Sequence, residues 1–498
     1  MTDFQDPQHI ASEVEGYKGT WSKFSKADVH PALAINIFRD FLTSAGLSDW
    51  ASSDLPRKIL KGDVYIFTPE ESNEESPRFC LRLYNGLIDE VLSSGCQWER
   101  DPKAWRTIHS FAEDLAGYER FRKVADDLRQ LALIEGKIDN GESLDRSELS
   151  FVHEIYRNFR SIRPEGKLRL EKIVSGRDIR RDFSEIFECA PELVAISKDD
   201  IGRNTRVVAT KLNSGDGKIL NAISAPTVFL KDISLDGDVT LATIPANSEF
   251  LGRFSARNCS NLRGVGANTI FAKDAYFDGS IRLGDFDSGV EFRARAGFAG
   301  CVGLHRYPSS VSFFGAIDFG GSGVREIPDG VSFIGTVIFS KTSIKEIPPG
   351  TEFTLGAEFR ECHKLIKIGS GVLFRGRANF AGCSNLESTG DGVRYLGPVS
   401  FEGSGLKFVS SGAQFFGEAD FSNTANLQSV ADGVVFGGPA RFTGSGIQSV
   451  GEGVLFMGPV HLKSCKNLSS IGSSTVFNGP IYLRHCPLLE GFNSDQQH

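Results

Sequence analysis

Hydrophobic positions repeat with a period of 20 or 21 residues through the second half of the chain. Six residues after each opening aromatic from Phe271 to Tyr395 stands a second Phe, and this second series continues to Leu483. A fixed period of this size is typical of stacked coils in a solenoid. The thirteen opening aromatics, called openers below, are Phe229, Phe250, Phe271, Phe292, Phe313, Phe333, Phe353, Phe374, Tyr395, Phe415, Phe436, Phe456 and Phe477.

The pattern inside each unit predicts short strands. Two residues before the second aromatic stands Ala, Val or Ile, as in Ala378 before Phe380, so side chains alternate inward and outward. Alternation at period two indicates a β-strand. Another β-forming run leads into the next opener, as in Val454-Leu455-Phe456. A second strand is therefore predicted on the opposite side of the coil.

A small residue, Cys, Ser or Thr, follows the second aromatic by three positions. Six of the nine cysteines stand at this one position, and their separations are near multiples of the period rather than C-x-x-C pairs. The pattern predicts a ladder of buried free thiols in a reducing compartment, with no metal site and no disulfide framework. The six are Cys259, Cys301, Cys362, Cys383, Cys465 and Cys486.

These units resemble leucine-rich repeats, in which an apolar strand is followed by Asn, Cys or Thr and then Leu. Short units read Ser404-Gly405-Leu406 and long ones Cys383-Ser384-Asn385-Leu386, and both spacings occur in that family. The aromatic-rich sequence of the units is similar to that of the bacterial branch of this family. The resemblance covers about 206–492 and implies a solenoid that recognises proteins. Phe in place of Leu and the missing asparagine ladder are departures from the family pattern.

Pentapeptide repeats are a rival interpretation of the same units. Pentapeptide repeats form a square β-helix, and two segments match their sequence pattern: Ala-Asn-Phe-Ala-Gly at 378–382 and Ala-Asp-Phe-Ser-Asn at 419–423. That fold requires a strict five-residue repeat, whereas inward residues here are separated by intervals of six, three, three and three. We therefore favour the leucine-rich interpretation.

Residues 1–205 have a different pattern, and the overall fold class predicted is α+β, with a mostly helical amino-terminal domain. Apolar residues at spacings of three and four predict helices over Trp105–Ile134, from Ser147 to about Phe159, and over Arg180–Phe187. Two strands, Asp63–Phe67 and Arg78–Tyr84, are predicted around an acidic loop. We expect this domain to cap the amino-terminal end of the solenoid. Residues 493–498 are predicted to form a polar tail.

Composition and charge restrict the classes of function. The formal net charge of -8 argues against a dedicated nucleic-acid binder. The sequence has no run of 18 apolar residues and does not open on a charged-then-apolar leader. We expect a cytoplasmic protein without a transmembrane segment. The alternative is delivery into a host cell by a non-classical secretion route.

Catalytic motifs are absent from the sequence: it has no nucleophile elbow, phosphate loop, zinc-metalloprotease helix or kinase signature. Thiol–imidazole chemistry would need Cys80 or Cys96 beside His30, His109 or His153, and no spacing links them. Bacterial effectors with such repeats can carry a ubiquitin-ligase Cys followed two residues later by Asp, and no Cys here has that neighbour. No catalytic, cofactor or metal residues are predicted. The alternative is an enzyme or ligase-like effector whose amino-terminal domain is active and whose repeats select the substrate.

We expect function on the outward residues of the solenoid strands, where charge varies from coil to coil. The pattern predicts protein–protein recognition, as an adaptor or bacterial effector, through a basic surface that meets an acidic partner. A merely solvated sheet face is the alternative. Self-association through the apolar final coil is a further expectation. The predicted partner-binding residues are Arg360, Arg377, Arg441, His461, Lys463, Tyr482, Arg484 and His485.

Overall fold

The structure is a computed structural model, and it describes residues 9–12, 16–24, 31–44, 47–58, 60, 62–70, 77–84, 87–155 and 164–489. His30, the acidic-loop residues 71–76, the predicted helix end at Phe159 and the tail 493–498 lie outside the described residues. Contacts divide the chain into two compact units, Met1–Asp182 and Phe183–His498.

The amino-terminal unit contains a five-stranded antiparallel sheet. Its strands are β1 (His9–Ser12), β2 (Gly19–Phe24), β3 (Val64–Pro69), β4 (Arg78–Tyr84) and β5 (Leu87–Ser94). They lie side by side in chain order, and the predicted strands at 63–67 and 78–84 are the third and fourth members. Both faces of β2 are packed, because Trp21 and Phe24 are buried in different apolar clusters, whereas Lys23 is not buried.

Helices occupy much of the rest of the amino-terminal half, so this region, for which the sequence predicts mostly helices, is a mixture of helices and sheet. The helices are α1 (Pro31–Ser44), α2 (Ser48–Ser52), α3 (Leu55–Lys58), α4 (Pro102–Ala112), α5 (Tyr118–Asp139), α6 (Arg146–Val152), α7 (Pro164–Ser175) and α8 (Ile179–Ile186).

The helix predicted over Trp105–Ile134 is two helices. Asp101 caps α4 by accepting hydrogen bonds from the backbone amides of Lys103 and Ala104. Gly117 separates α4 from α5 with φ of +85°, a left-handed conformation that suits glycine. Apolar periodicity alone cannot reveal such a break, because the apolar spacing continues across it.

The second unit is a solenoid of short parallel strands, and its largest sheet, here called the second face, has 14 strands. The first residue of each strand points inward and the next points outward. These strands are β8 (Leu212–Asn213), β10 (Ile233–Ser234), β13 (Phe254–Ser255), β16 (Ala275–Tyr276), β19 (Ala296–Gly297), β21 (Ile317–Asp318), β23 (Val337–Ile338), β26 (Ala357–Glu358), β29 (Ala378–Asn379), β31 (Val399–Ser400), β34 (Ala419–Asp420), β37 (Ala440–Arg441), β40 (Val460–Lys463) and β43 (Ile481–Arg484).

The openers end the strands of the first face, which is divided into sheets of seven and eight strands. The seven are β6 (Val194–Ala195), β7 (Val207–Val208), β9 (Thr227–Phe229), β12 (Ser248–Phe250), β15 (Ile270–Phe271), β18 (Val290–Phe292) and β20 (Val311–Phe313). The eight are β22 (Ser332–Phe333), β25 (Glu352–Phe353), β28 (Leu373–Phe374), β30 (Arg394–Tyr395), β33 (Gln414–Phe415), β36 (Val435–Phe436), β39 (Leu455–Phe456) and β42 (Val476–Phe477).

A third face, which the sequence pattern did not predict, completes each coil where it is present. Its strands form sheets of three, two and four members. They are β11 (Thr243–Ile244), β14 (Gly264–Val265), β17 (Asp285–Phe286), β24 (Glu346–Ile347), β27 (Lys367–Ile368), β32 (Phe408–Val409), β35 (Ser429–Val430), β38 (Ser449–Val450) and β41 (Ser470–Ile471). A short helix, α9 (Gly217–Ala222), precedes β9.

Two columns of aromatic rings fill the solenoid. Successive openers stack with ring centroids 4.6 to 5.2 Å apart, apart from the step between Phe313 and Phe333. The second-face aromatics from Phe277 to Phe442 stack 5.0 to 5.4 Å apart without interruption. Each such pair adds about 0.5–1.5 kcal/mol beyond the area that it buries. The sequence repeat therefore corresponds to the stacking of equivalent aromatic side chains from successive coils in the core.

The small residue after the second aromatic bonds across coils. The thiols of Cys259, Cys301 and Cys383 lie 2.9 to 3.1 Å from backbone carbonyl oxygens of the preceding coil. All nine cysteines are free thiols, and burial raises the pKa of Cys301 to about 12. A buried thiol of this kind is a small hydrophobe with a weak donor, not a nucleophile.

Candidate recognition surface

The last two strands of the second face bring four of the eight predicted residues together. Whereas the other strands of this sheet have two residues, β40 and β43 have four. They pair in parallel register, so that His461 lies beside Tyr482 and Lys463 beside Arg484. Along β40 the inward Val460 and Leu462 are buried and Lys463 is exposed, so the alternation places these side chains outward.

Arg441 and His485 extend this group, and we call Arg441, His461, Lys463, Tyr482, Arg484 and His485 the basic strip. Arg441 is paired with His461 in the neighbouring strands β37 and β40. His485 follows β43 directly. The imidazole of His461 stacks on the ring of Tyr482 with centroids 4.7 Å apart and an interplanar angle of 12°. The stack gives the strip an ordered aromatic centre.

Arg360 and Arg377 do not join the basic strip. Arg377 precedes β29 and Arg360 follows β26, so they flank the second face on opposite sides of its strands. At least two strands, β31 and β34, separate them from β37. The structure thus divides the eight predicted residues into one group of six and two isolated arginines.

Charge in the basic strip is only partly compensated within the chain. Arg441 Nε lies 2.5 Å from Glu418 Oε1, so this arginine is neutralised locally. Lys463 and Arg484 are exposed and form no ion pair with any residue in the part of the chain that the structure describes. Residues 437–489 contain four Lys or Arg and one Glu in a chain of net charge -8. This end of the second face is therefore a local cationic surface.

The early coils show what a compensated face looks like. Arg257 Nε lies 3.0 Å from Asp278 Oδ2, and its guanidinium lies 4.1 Å from the centroid of the Tyr276 ring. Asp236 accepts a hydrogen bond from the backbone amide of Arg257. These acidic and basic residues alternate from coil to coil and bind each other, which leaves little charge for a partner.

The strip shares one backbone conformation with the rest of the solenoid. The residue two positions after the second aromatic of a coil has positive φ along the whole solenoid, and glycine often supplies it, as at Gly403 and Gly444. In the last two coils this residue is Ser464 (φ 61°) and His485 (φ 57°), and earlier coils have Lys341, Glu361 and Asn423 at the same position. A side chain in this conformation costs about 1–2 kcal/mol relative to glycine.

Comparison with family models, with curated proteins and with solved structures found no match to this chain. Its functional interpretation therefore rests on the geometry of the chain itself. No helix among the described residues is long and apolar enough to cross a membrane. The same part of the chain holds no cluster of three or more His, Cys, Asp or Glu side chains that could bind a metal ion.

Among the described residues of the amino-terminal unit, the candidate imidazoles of His109 and His153 bind Tyr118 and Asp182. The side chain of His153 is buried, and its Nε2 lies 2.8 Å from Asp182 Oδ2, which Arg177 also binds. Cys80 is buried in a separate apolar cluster, and burial raises the pKa of Cys96 to about 11. A thiol nucleophile needs a lowered pKa and an exposed position. In the described structure His153 is held by its contact with Asp182 and Cys80 by apolar packing.

A shallow cavity of about 540 Å³ lies in the amino-terminal unit, beside β2, β3 and α1. Among its described lining residues Glu70 alone is ionisable, and none of Cys80, Cys96, His109 and His153 reaches it. The described lining residues of this cavity do not form the pair of titratable groups that acid–base or nucleophilic catalysis requires. They are Thr20, Ser22, Phe41, Ser44, Thr68, Pro69 and Glu70.

His109 makes the stability of the amino-terminal unit depend on pH. Its ring stacks on Trp105, Nδ1 lies 3.2 Å from the Tyr118 hydroxyl, and burial lowers the pKa of His109 from 6.5 to about 4. The unfolded chain binds this proton more readily, so stability is full above pH 6.5 and is lost as the pH falls towards 4.

We expect the urea midpoint to fall over this pH range, and a His109→Phe variant to lose that part of the slope. All four tryptophans lie in this unit, so tryptophan fluorescence reports its unfolding. An unchanged slope in the variant would show that His109 is not the group responsible.

Proposed function

We propose that this protein is a non-enzymatic recognition protein whose basic strip binds an acidic segment of a partner protein. The observation that carries the proposal is the pair Lys463 and Arg484, exposed on adjacent strands without an ion-pair partner in the described chain. Charge complementarity of this kind steers association and fixes the register of a complex. A stacked solenoid also presents its side chains on a preformed surface, so binding requires little ordering.

The aromatic and histidine members of the strip provide packing surface in addition to charge. Tyr and Arg are the residue types that most often supply binding energy at protein interfaces. Tyr482 is half exposed and held in place by His461. We propose that Tyr482 packs against an apolar group beside the acidic residues of the partner.

We further propose that the protein acts as an adaptor in a reducing compartment, which the ladder of free thiols supports. The leucine-rich assignment and an effector role inside a host cell belong to the same proposal. They rest on the resemblance of the repeat sequence to bacterial leucine-rich repeats. In that role the basic strip would be the surface that binds the host protein.

A charge-reversal experiment tests the strip. The probe is a fluorescein-labelled ten-residue peptide with Glu at alternate positions and one central Leu, titrated with the full chain. The Lys463→Glu/Arg484→Glu variant should bind it at least tenfold more weakly, a loss of about 1.4 kcal/mol. Binding to the unaltered chain should weaken as salt is raised, because the charges are exposed.

The matched control makes the same change in net charge elsewhere. Arg325→Glu/Lys364→Glu alters two exposed residues outside the second-face strands. This control should bind the peptide nearly as well as the unaltered chain. Equal losses in both variants would mean that net charge alone governs binding, and the recognition surface would then lie elsewhere.

A further inference from the structure

Two pairs of cysteines stand at the same position of adjacent coils. Cys362 and Cys383 form the first pair, Cys465 and Cys486 form the second, and 21 residues separate the members of each pair. The remaining two cysteines of the ladder have no cysteine on a neighbouring coil. Adjacent strands lie about 4.8 Å apart, and a disulfide joins Cα atoms about 4.4–6.8 Å apart. Stacking of the coils therefore brings each pair within the range of a disulfide.

The second pair lies at the end of a well-formed ladder. Lys463 pairs with Arg484 two residues before the cysteines, and the Ser464 amide donates a 2.7 Å hydrogen bond to the Arg484 carbonyl. The thiols of Cys465 and Cys486 interact with each other. Burial and this interaction raise the pKa of the Cys465 thiol to about 11.

Both sulfur atoms of this pair occupy the same place in their coils. Cys465 Sγ lies 3.1 Å from the Phe442 carbonyl oxygen, and Cys486 Sγ lies 2.8 Å from the Leu462 carbonyl oxygen. Side chains at this position also contact each other between coils, since Cys465 Sγ lies 3.8 Å from the Ser445 hydroxyl oxygen. Rotation about the Cα–Cβ bond of Cys486 brings its sulfur to Cys465 and gives up only a weak thiol hydrogen bond.

Access to solvent distinguishes the two pairs. Cys362, Cys383 and Cys465 are fully buried, whereas Cys486 is partly exposed. Oxidation of a thiol by a dissolved reagent requires an accessible sulfur. Of the two pairs, only the second one offers such a sulfur.

We propose that Cys465 and Cys486 form a reversible disulfide when the protein meets a peroxide, and that this bond fastens the last coil to its neighbour. The Cys486 sulfur takes one oxygen from hydrogen peroxide, which gives a sulfenic acid and releases water. The Cys465 sulfur then attacks the sulfenic sulfur, and the hydroxyl leaves as a second water with the Cys465 proton. Two electrons pass from the thiols to the peroxide, and a dithiol reductant reverses the reaction.

Burial of Cys465 does not prevent the second step. The sulfenic acid is generated on the adjacent coil, so Cys465 meets it without leaving the ladder. The peroxide itself reaches Cys486 and not Cys465. The pair thus combines one sulfur that is open to the oxidant with one that is held beside it.

The disulfide reinforces a coil that is held on one side. Strand β43 is the edge of the second face, and the Val460 and Ser464 amides donate to the carbonyls of Pro480 and Arg484 over 2.9 and 2.7 Å. An element at the end of a stack opens more readily than one inside it. A crosslink between the two coils removes most of the freedom that the last coil gains when it opens.

This inference goes beyond the proposed function and does not depend on it. The disulfide concerns the attachment of the last coil, whereas the basic strip concerns the binding of an acidic segment. Peptide titration tests the strip and thiol chemistry tests the disulfide, so the two proposals fail independently.

Thiol mapping of the full chain tests the proposal. The reduced protein is treated with hydrogen peroxide, its free thiols are alkylated after denaturation, and its peptides are analysed by mass spectrometry. We expect a Cys465–Cys486 crosslink that dithiothreitol removes. Cys362 and Cys383 should be recovered alkylated, because they have the same spacing without an exposed sulfur. They are the internal control for access.

Hydrogen exchange tests what the bond does to the last coil. Oxidation should slow exchange in peptides covering 460–464 at least about tenfold, because crosslinks of this kind typically stabilise by more than that factor. Cys486→Ser should remove this response to peroxide. Cys362→Ser, the matched change in the buried pair, should leave both the crosslink and the response intact.

Three outcomes would overturn the proposal. Peroxide could leave Cys465 and Cys486 as thiols, or it could oxidise Cys486 to a sulfinic acid or to a bond between two chains without linking it to Cys465. The third outcome is a Cys465–Cys486 crosslink with unchanged exchange over 460–464, which would show that the bond does not fasten the coil.

Discussion

Replacing Phe380 by Ala should lower the free energy of unfolding of the solenoid by about 3–5 kcal/mol, the range for deleting a buried aromatic ring. Phe380 is fully buried in the second-face aromatic column. Its ring lies 5.2 Å from that of Phe359 and 5.2 Å from that of Phe401, and it meets Phe374 edge-on at 5.6 Å. Continuous sheets on both sides hold the coils in place, so they cannot collapse into the cavity.

The matched control for this change is Phe416→Ala, one aromatic ring removed from an exposed position on the same solenoid. Phe416 is 47% exposed and follows the opener Phe415. It should cost less than about 1 kcal/mol, because little of the ring leaves a packed environment. Both are measured by urea unfolding followed by far-ultraviolet circular dichroism. A loss below about 2 kcal/mol for Phe380→Ala would mean that the aromatic column is not the main source of stability.

Replacing Gly376 by Ala should cost about 3 kcal/mol, although it adds only one methyl group. A column of glycines forms the corner between the first and second faces, including Gly335, Gly376 and Gly417. A Cβ at Gly376 would lie 2.0 Å from the backbone oxygen of Leu355 on the preceding coil. The obstacle is main chain held in a ladder, so relief requires the coils to separate. This places the cost at the upper end of overpacking.

Gly371→Ala provides the comparison at a different glycine. A methyl group at Gly371 would meet no other atom within 4 Å, but the residue has a φ of +66°. Its substitution should cost about 1 kcal/mol through backbone conformation alone. Unfolding midpoints of the two variants distinguish the causes. Equal losses would show that close approach between coils is not the constraint at the corner.

Periodicity predicted the solenoid well because one physical cause, inward packing, acts on every coil. The openers from Phe229 to Phe477 all end first-face strands, and the residues two positions before the second aromatics begin second-face strands. The third face was not predicted. Its strands are two residues long, and a strand such as Lys367–Ile368 has a single buried apolar residue. An alternation of apolar and polar residues cannot be recognised over so short a segment.

The amino-terminal unit was predicted less completely because its elements are set by long-range pairing. Strand β2 joins β3 across about 40 residues of chain, and its sequence, Gly-Thr-Trp-Ser-Lys-Phe, has no strong local signal. At the candidate site, alternation correctly placed Lys463 and Arg484 outward. It could not show that Glu418 neutralises Arg441, since that contact depends on the arrangement of neighbouring coils.

The break between the two first-face sheets, at β20 and β22, affects how the solenoid unfolds. In a stack where each coil touches only its neighbours, stability is the sum of coil terms and interface terms, and cooperativity spreads through the interfaces. The step from Phe313 to Phe333 lacks its first-face rungs, so it couples its neighbours more weakly than any fully laddered step does. We therefore expect denaturation to divide there, with the coils before Phe313 and those after Phe333 melting as two cooperative blocks.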